Sequence, residues 1–299
     1  MTENSYEGSF LLLDVKDSLL YLVATPIGNL ADITLRAIET LKSCDYILCE
    51  DTRHSFILLR HYDISKPLKS YHQFNETARA QEILEDLESG KRIGLISDAG
   101  TPGISDPGAI LVRLCLERNL PITAIPGPCA AIQALSCSGL PTERFQFWGF
   151  LSKKPQALRR ELQTILDYPG STICYESPRR LAETLRCLHT LQPRRHLAVG
   201  RELTKKFEEM IRGCAADLLA HWEKVPIKGE VVLVISPSTG EKSLDWMLWS
   251  PEEHIQWVQA NYTLSRKEAV KLVAELRGLP KRDLYRASLP VQPTPFNHS

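Results

Sequence analysis

Three glycine- and proline-rich loops each follow a short apolar run: Ala24-Thr25-Pro26-Ile27-Gly28-Asn29, Ser97-Asp98-Ala99-Gly100-Thr101-Pro102-Gly103, and Ile125-Pro126-Gly127-Pro128-Cys129-Ala130-Ala131. Glycine lets a backbone approach a ligand closely, and proline stiffens a loop without leaving an unpaired N–H. The densest stretch, ISDAGTPGISDPG from Ile96 to Gly108, holds three glycines, two prolines and two aspartates in thirteen residues. Further up the chain, CEDTRH places Glu50, Asp51 and Arg53 directly after the apolar run Tyr46 to Cys49. A carboxylate there could accept a proton, and an arginine could stabilise developing negative charge.

Several familiar chemistries lack their residues. The first strand is followed by neither GxGxxG nor GxxxxGK[ST], so a dinucleotide or nucleoside triphosphate is poorly supported. No HExxH or Cys/His cluster offers a metal, and no GxSxG elbow offers a serine nucleophile.

The elements that position these loops alternate. Leu19 to Val23, Tyr46 to Cys49, Ile93 to Ile96 and Ile122 to Ile125 read as strands. Ile33-Leu35-Ile38-Leu41, Ala80-Ile83-Leu84-Leu87 and Ile110-Leu111-Leu114 have the three-and-four spacing of amphipathic helices. This rhythm predicts a largely parallel sheet covered on both faces, with the loops at its carboxyl edge converging on one crevice. Leu140-Pro141 breaks the pattern before the aromatic run Phe145 to Phe150. The expected organisation is a leader (1–17), a first α/β domain (18–141), a second (142–237), and a linker with a small basic helical module (238–299).

In the second domain, Thr172 to Tyr175, Leu197 to Gly200 and Val231 to Ile235 read as strands. Helices are expected near Gln156 to Leu166, Arg179 to Leu188 and Ala215 to Trp222. Trp246 to Trp257 reads as a less regular connection, and Leu264 to Arg286 as two short helices around Gly278-Leu279-Pro280. Ser265-x-x-Glu268 is a capping box. That basic pair suits nucleic-acid docking or a simple capping role.

Composition is that of an ordinary globular chain, 43% hydrophobic and 24% charged. The apolar runs fall far short of the roughly 20 residues that span a bilayer, and the N-terminus lacks the basic start of a signal peptide. Eight cysteines without a CxxC pair read as reduced, buried cysteines of a cytoplasmic protein. The net charge of zero hides a split: residues 1–144 hold 13 Lys+Arg against 19 Asp+Glu, and 145–299 hold 23 against 17. The second half carries basic doublets at 153-154, 159-160, 179-180, 194-195, 205-206 and 281-282, a footprint for a polyanion. From the residues alone, the chain is an α/β protein with a small-ligand crevice between two domains, near RNA.

The stretches ATPIGNLADITLRA, CEDTRH, SDAGTPGISDPG, IPGPCAAIQALSCSGLPTERF, YESPRRL, RELTKKFEE and KGEVVLV resemble, in order, the ribosomal RNA small-subunit methyltransferase I family. The resemblance covers about Ser18 to Leu289. It implies a two-domain tetrapyrrole-methylase (class III methyltransferase) architecture with a small helical C-terminal module. It also implies S-adenosylmethionine as methyl donor, a cytidine 2'-hydroxyl in the decoding region of 16S rRNA as acceptor, the rRNA or small ribosomal subunit as partner, and a homodimer.

By the same resemblance, Asp98, Gly100, Thr101, Ile104, Cys129, Ala130 and Tyr175 border the cofactor, and Pro26 and Gly28 shape the acceptor-side wall beside it. A base or an alkoxide-stabilising cation is sought among Glu50, Asp51, Arg53, Arg201, Glu202, Lys205 and Lys228, with Glu50, Asp51 and Arg53 expected to contribute together. Arg179, Trp148 and Ser152 depart from the family's usual residues near the inter-domain strand, which bears on substrate placement. Two rival readings are methylation of a tetrapyrrole or other small molecule, and a non-catalytic RNA-binding or assembly protein.

Overall fold

The structure is a computed structural model that describes residues 19–222, 228–238, 249–262, 264–280, 282 and 284. The expected leader and Lys281 lie outside the described residues. The chain divides into two compact units, 1–239 and 240–299.

The first unit holds two sheets. Strands β1 (Leu20–Val23), β2 (Tyr46–Cys49), β3 (Leu68–Ser70), β4 (Ile93–Leu95) and β5 (Ile122–Ile125) form an all-parallel sheet in the order β3-β2-β4-β1-β5. Helices α1 (Leu35–Ser43), α2 (Thr52–His61), α3 (Glu76–Glu88) and α4 (Ala109–Glu117) connect its strands. Alternation along β1 sends Leu20 to one core with Leu48, Ile93 and Leu95, and sends Tyr21 and Val23 to another with Ile47 and Cys49. Burial on both faces explains why these strands read as unbroken apolar runs.

Helix α5 (Ala130–Ser138) leads to the second sheet, built from β6 (Phe145–Phe150), β7 (Ser171–Glu176), β8 (His196–Arg201), β9 (Glu209–Cys214) and β10 (Val231–Ile235) in the order β6-β7-β10-β8-β9. Only β6 and β7 run parallel; the other three pairings are antiparallel. The expectation of a largely parallel sheet therefore holds for the first sheet and fails for the second. The reason is β9, which was not anticipated: its short return from β8 makes a hairpin, and a hairpin is antiparallel by construction. Helices α6 (Pro155–Asp167), α7 (Pro178–Leu191) and α8 (Ala215–Trp222) cover one face. The other face receives Ala131, Ala134 and Leu135 of α5 together with Ile27 from the loop after β1, in one apolar cluster with Ile173, Ala198, Val232 and Val234. A shared core thus fixes the first sheet's loops against the second sheet.

The second unit contains α9 (Pro251–Tyr262) and α10 (Arg266–Arg277), packed through Ile255, Val258, Val270 and Val273. The expected capping box closes between Ser265 and Glu268, and Gly278 ends α10 in the left-handed region. From Pro251 onward, the stretch expected to be irregular is instead helical. Ser250 and Glu253 cap it reciprocally, Ser250 N–H donating to Glu253 Oε2 (2.6 Å) and Glu253 N–H to Ser250 Oγ (3.2 Å), with Pro251 opening the first turn. Among the described residues no helix is long and apolar enough to cross a membrane.

Candidate active site

The loops after β1, β4 and β5 are laced together at the carboxyl edge of the parallel sheet. Thr25 N–H donates to Gly100 O (2.8 Å) and Gly100 N–H to Thr25 O (3.0 Å). Thr25 Oγ1 donates to Ser97 O (3.1 Å), and Thr101 Oγ1 to Pro128 O (3.2 Å). Gly100 adopts φ 84°, which an L side chain disfavours, and its α-carbon faces Ile27 and the Pro128 carbonyl. Crowding by Gly and Pro produces backbone-to-backbone ties that leave the loop little freedom.

A cavity of about 390 Å³ opens between these loops and the second sheet. Seven of the residues expected to border the cofactor line it: Asp98, Gly100, Thr101, Ile104, Cys129, Ala130 and Tyr175. Pro26 is buried and Gly28 exposed, and neither faces the cavity. The opposite wall includes Phe150, Glu176, Leu203 and Glu230. Tyr175 carries Phe147 and Phe150 edge-on at ring distances of 5.0 and 5.5 Å. Burial pushes its phenol up to about 12, with Cys129 adding to the effect. Glu176, its side chain fully buried, accepts from Thr184 Oγ1 (2.7 Å) and the Ser177 N–H (2.7 Å) and pairs with Arg180 (3.3 Å). Arg180 also holds the Leu151 and Ser152 carbonyls, so it fixes the exit of β6 to the start of α7.

The expected trio Glu50, Asp51 and Arg53 separates. Asp51 caps α2, accepting the Arg53 N–H at 2.9 Å, and pairs with the guanidinium at 2.7 Å. Hydrogen bonding from Arg53 holds its carboxyl well below the usual range, and Arg53 itself is exposed. Neither residue lines a cavity. Glu50 points instead into a second cleft of about 360 Å³ with Glu76, Ser105 and Asp106. There Glu50 and Asp106 meet within hydrogen-bonding range, with Asp98 close to both. Burial, reinforced by Asp106 and Asp98, pushes Glu50 up to about 7. Burial also raises Asp106 to about 6. Among the described residues no group of three or more His, Cys, Asp or Glu converges as a metal site.

Glu202 and Lys205 lie beside the cavity without lining it. Lys205 Nζ bonds Glu202 Oε1 (3.0 Å) and Glu230 Oε2 (2.8 Å). Against the burial that opposes it, the Glu230 N–H and Lys205 hold Glu202 below its usual range. Lys205 is thus a bridge between two carboxylates. Lys228 is exposed; Arg201 pairs with Glu209 at 2.8 Å.

The basic doublets also separate. Lys153, Lys154, Arg160, Arg179, Arg194 and Lys206 are exposed. Arg195, counted in the sequence among the basic doublets of a polyanion footprint, is only 3% exposed and donates to the Leu166 carbonyl (2.8 Å), the Ser236 carbonyl (3.2 Å) and that of Pro237. Asp106, Phe150, Glu176 and Glu230 went unmarked in the sequence. Asp106 and Glu176 lay inside motifs already noted, the first in the thirteen-residue loop and the second in YESPRRL; nothing local distinguished them.

A family model for tetrapyrrole (corrin/porphyrin) methylases matches residues 19–219. Proteins named ribosomal RNA small subunit methyltransferase I are similar over nearly the full chain. The one from Halalkalibacterium halodurans is 45% identical over 89% of this chain and 93% of its own length. That of Synechocystis sp. is 45% identical over 92% and 98%, and that of Escherichia coli O157:H7 42% over 93% and 97%. Among solved structures, the methyltransferase CobJ superposes with a TM-score of 0.55 at 17% identity, covering 74% of this chain and 94% of that one. Diphthine synthase gives 0.53 at 14%, covering 73% and 89%. At such identity the structures speak for the fold.

Proposed function

Since this chain belongs to the tetrapyrrole methylases and, within them, to the ribosomal RNA small subunit methyltransferase I family, we propose that it methylates a cytidine ribose 2'-hydroxyl in the decoding region of 16S rRNA. The observation that carries the reading is the cavity formed where the laced loops meet the second sheet. Its size falls in the range of small-ligand sites, and Asp98 on its wall suits a ligand bearing positive charge.

S-adenosylmethionine supplies a methyl group on a cationic sulfur. Asp98 and the carbonyls of the 97–104 loop would hold its cationic groups, Thr101, Cys129 and Ala130 its flanks, and Tyr175 would close the far side. Such a displacement needs donor, methyl and acceptor in line at close approach, so rigid walls contribute chiefly by positioning. The Thr25–Gly100 ties and the shared core of Ile27, Ala131 and Val232 supply that rigidity. Phe150, 63% exposed at the rim, offers a face for an unstacked base, and exposed Lys153 and Lys154 lie three and four residues on, placed for phosphates.

A cytoplasmic site of action and a homodimer belong to the same proposal. Leu35, Phe56 and Ile57, all more than half exposed on α1 and α2, supply apolar surface for self-association. The deciding experiment is transfer of label from S-adenosylmethionine to small ribosomal subunits that lack their normal methylation, with nuclease mapping. Label on a 2'-O-methylcytidine of the decoding region is the expected result. Cofactor binding without labelled RNA would direct the search to small-molecule acceptors.

A further inference from the structure

Asp106 stands on the wall between the two depressions of the first unit. It lines the 390 Å³ cavity assigned to the cofactor and also the adjoining cleft of about 360 Å³ that holds Glu50. The chain reaches this position by an unusual route: Ser105 is a non-glycine residue at φ 62°, and its hydroxyl packs beside Gly149 of β6. A carboxyl on this shared wall can face a hydroxyl held in the cavity while its proton has a way out through the cleft. We propose that Asp106 takes the proton from the acceptor hydroxyl, and that Glu50, in hydrogen-bonding contact with it, shares that proton and passes it to solvent through the cleft. The inference rests on the methyltransferase reading above.

Other groups near the cavity are less suited. The Tyr175 phenol, pushed up by burial to about 12, does not ionise near neutrality. Glu202 is engaged by Lys205 and the Glu230 N–H, and Lys205 by two carboxylates. Asp51 caps a helix and pairs with Arg53. Of the other carboxyls on the wall, Glu176 pairs with Arg180, Glu230 with Lys205, and Asp98 is assigned to the cofactor's cationic groups. Glu50 and Asp106 remain, and two carboxyls in contact cannot both ionise easily, so the pair holds one proton over a range in which a lone carboxylate would hold none. Their elevated values, about 7 and about 6, place that range just below neutrality. A base so poised is matched to its task. The groups facing the pair are Asp98 and Ser97 from the β4 loop, Glu76 from α3 and Tyr175 from β7; no cation among them would cancel the effect.

The step balances. As the bond from oxygen to the methyl carbon forms, the carbon–sulfur bond breaks and its electron pair stays on sulfur, which becomes a neutral thioether. The hydroxyl proton moves to Asp106, and the ionised pair is restored by release of one proton to water.

The test combines single-turnover methyl transfer to unmethylated small subunits with calorimetry of S-adenosylmethionine binding, for the wild type, D106N and E50Q. The expected result is a wild-type rate that climbs with unit slope below about pH 6 and levels above about pH 7. D106N should lose about 100-fold or more in rate with cofactor affinity within threefold of wild type. E50Q should keep more activity than D106N, with its rise displaced to lower pH. D106N within threefold of the wild-type rate would overturn the proposal, as would a wild-type rate flat from pH 5 to 8, a measurement that needs no variant. Loss of cofactor affinity in D106N with an unchanged rate at saturation would also overturn it, showing that the carboxyl binds the cofactor's positive charge. Wild-type protein that binds cofactor and labels no RNA would instead overturn the acceptor reading itself, and the assigned role with it.

Discussion

Gly28 and Lys205 lie in direct contact: a β-carbon on Gly28 would overlap Lys205 Cγ and come within 2.8 Å of Thr204 Oγ1. The next residue, Asn29, donates its N–H to that same Thr204 hydroxyl at 3.0 Å. The loop after β1 therefore docks on the turn after β8, and glycine is required there by close approach. Lys205 cannot simply swing aside, since Glu202 and Glu230 both hold its ammonium. Gly28→Ala is expected to destabilise the chain by about 1–3 kcal/mol through overpacking. Cofactor affinity should stay near the wild-type value because Gly28 does not line the cavity. Urea unfolding and calorimetry on one preparation check both halves.

Arg194 and Arg195, adjacent in sequence, should behave oppositely. Arg195 is buried and its guanidinium satisfies carbonyls at the ends of α6 and β10; Arg194 is exposed. Arg195→Met leaves those acceptors unpaired and is expected to cost about 2–4 kcal/mol, several degrees in Tm. Arg194→Ala should leave Tm within a degree. Equal Tm values for the two variants would contradict the burial seen here.

Substituting Lys153 and Lys154 together by Ala should weaken binding to small subunits and lower the salt dependence. If each contacts one phosphate, the slope of log K against log salt falls by about 1–2. Filter binding from low to moderate salt measures it. An unchanged slope would place the RNA on another face.

Half-buried Glu50 and Asp106 also give stability a pH dependence of definite sign. Their folded-state values, about 7 and about 6, exceed the roughly 4 of an unfolded carboxyl, so the folded chain binds protons more tightly. That contribution is complete below the unfolded value and is lost as pH rises through about 6 to 7. Glu50→Gln, neutral at every pH, should gain stability over wild type as pH goes from 5 to 8. The urea midpoints of the two proteins, compared at each pH, should diverge in that direction; a constant difference would mean Glu50 titrates normally.

Much of the fold was written in local pattern. Strands such as Ile93 to Ile96 and Val231 to Ile235 announced themselves because both their faces are buried, and apolar spacing marked α1, α3 and α4. The second sheet's antiparallel majority was not legible, since β9 is an edge strand of half-buried residues with no continuous apolar run. Helix α9 carried its signal in Ser250-Pro251-x-Glu253, a cap that its weak apolar periodicity obscured.

For the site, sequence alone determined where the chain stiffens: Gly and Pro impose their backbone limits whatever surrounds them, so the three loops could be read directly, whereas the seven cavity-lining residues, Tyr175 on β7 among them, came from the family resemblance of the motifs. Charge was different. Whether an acidic or basic side chain is a base, a cap or a buried clamp depends on what lies across the fold. Asp51 became a helix cap while its neighbour Glu50 turned to meet Asp106, 56 residues on. Arg195 went into the interior while Arg194 stayed in water. Only tertiary structure sets the dielectric and the partners of each charge, and those two quantities decide what a titratable group can do.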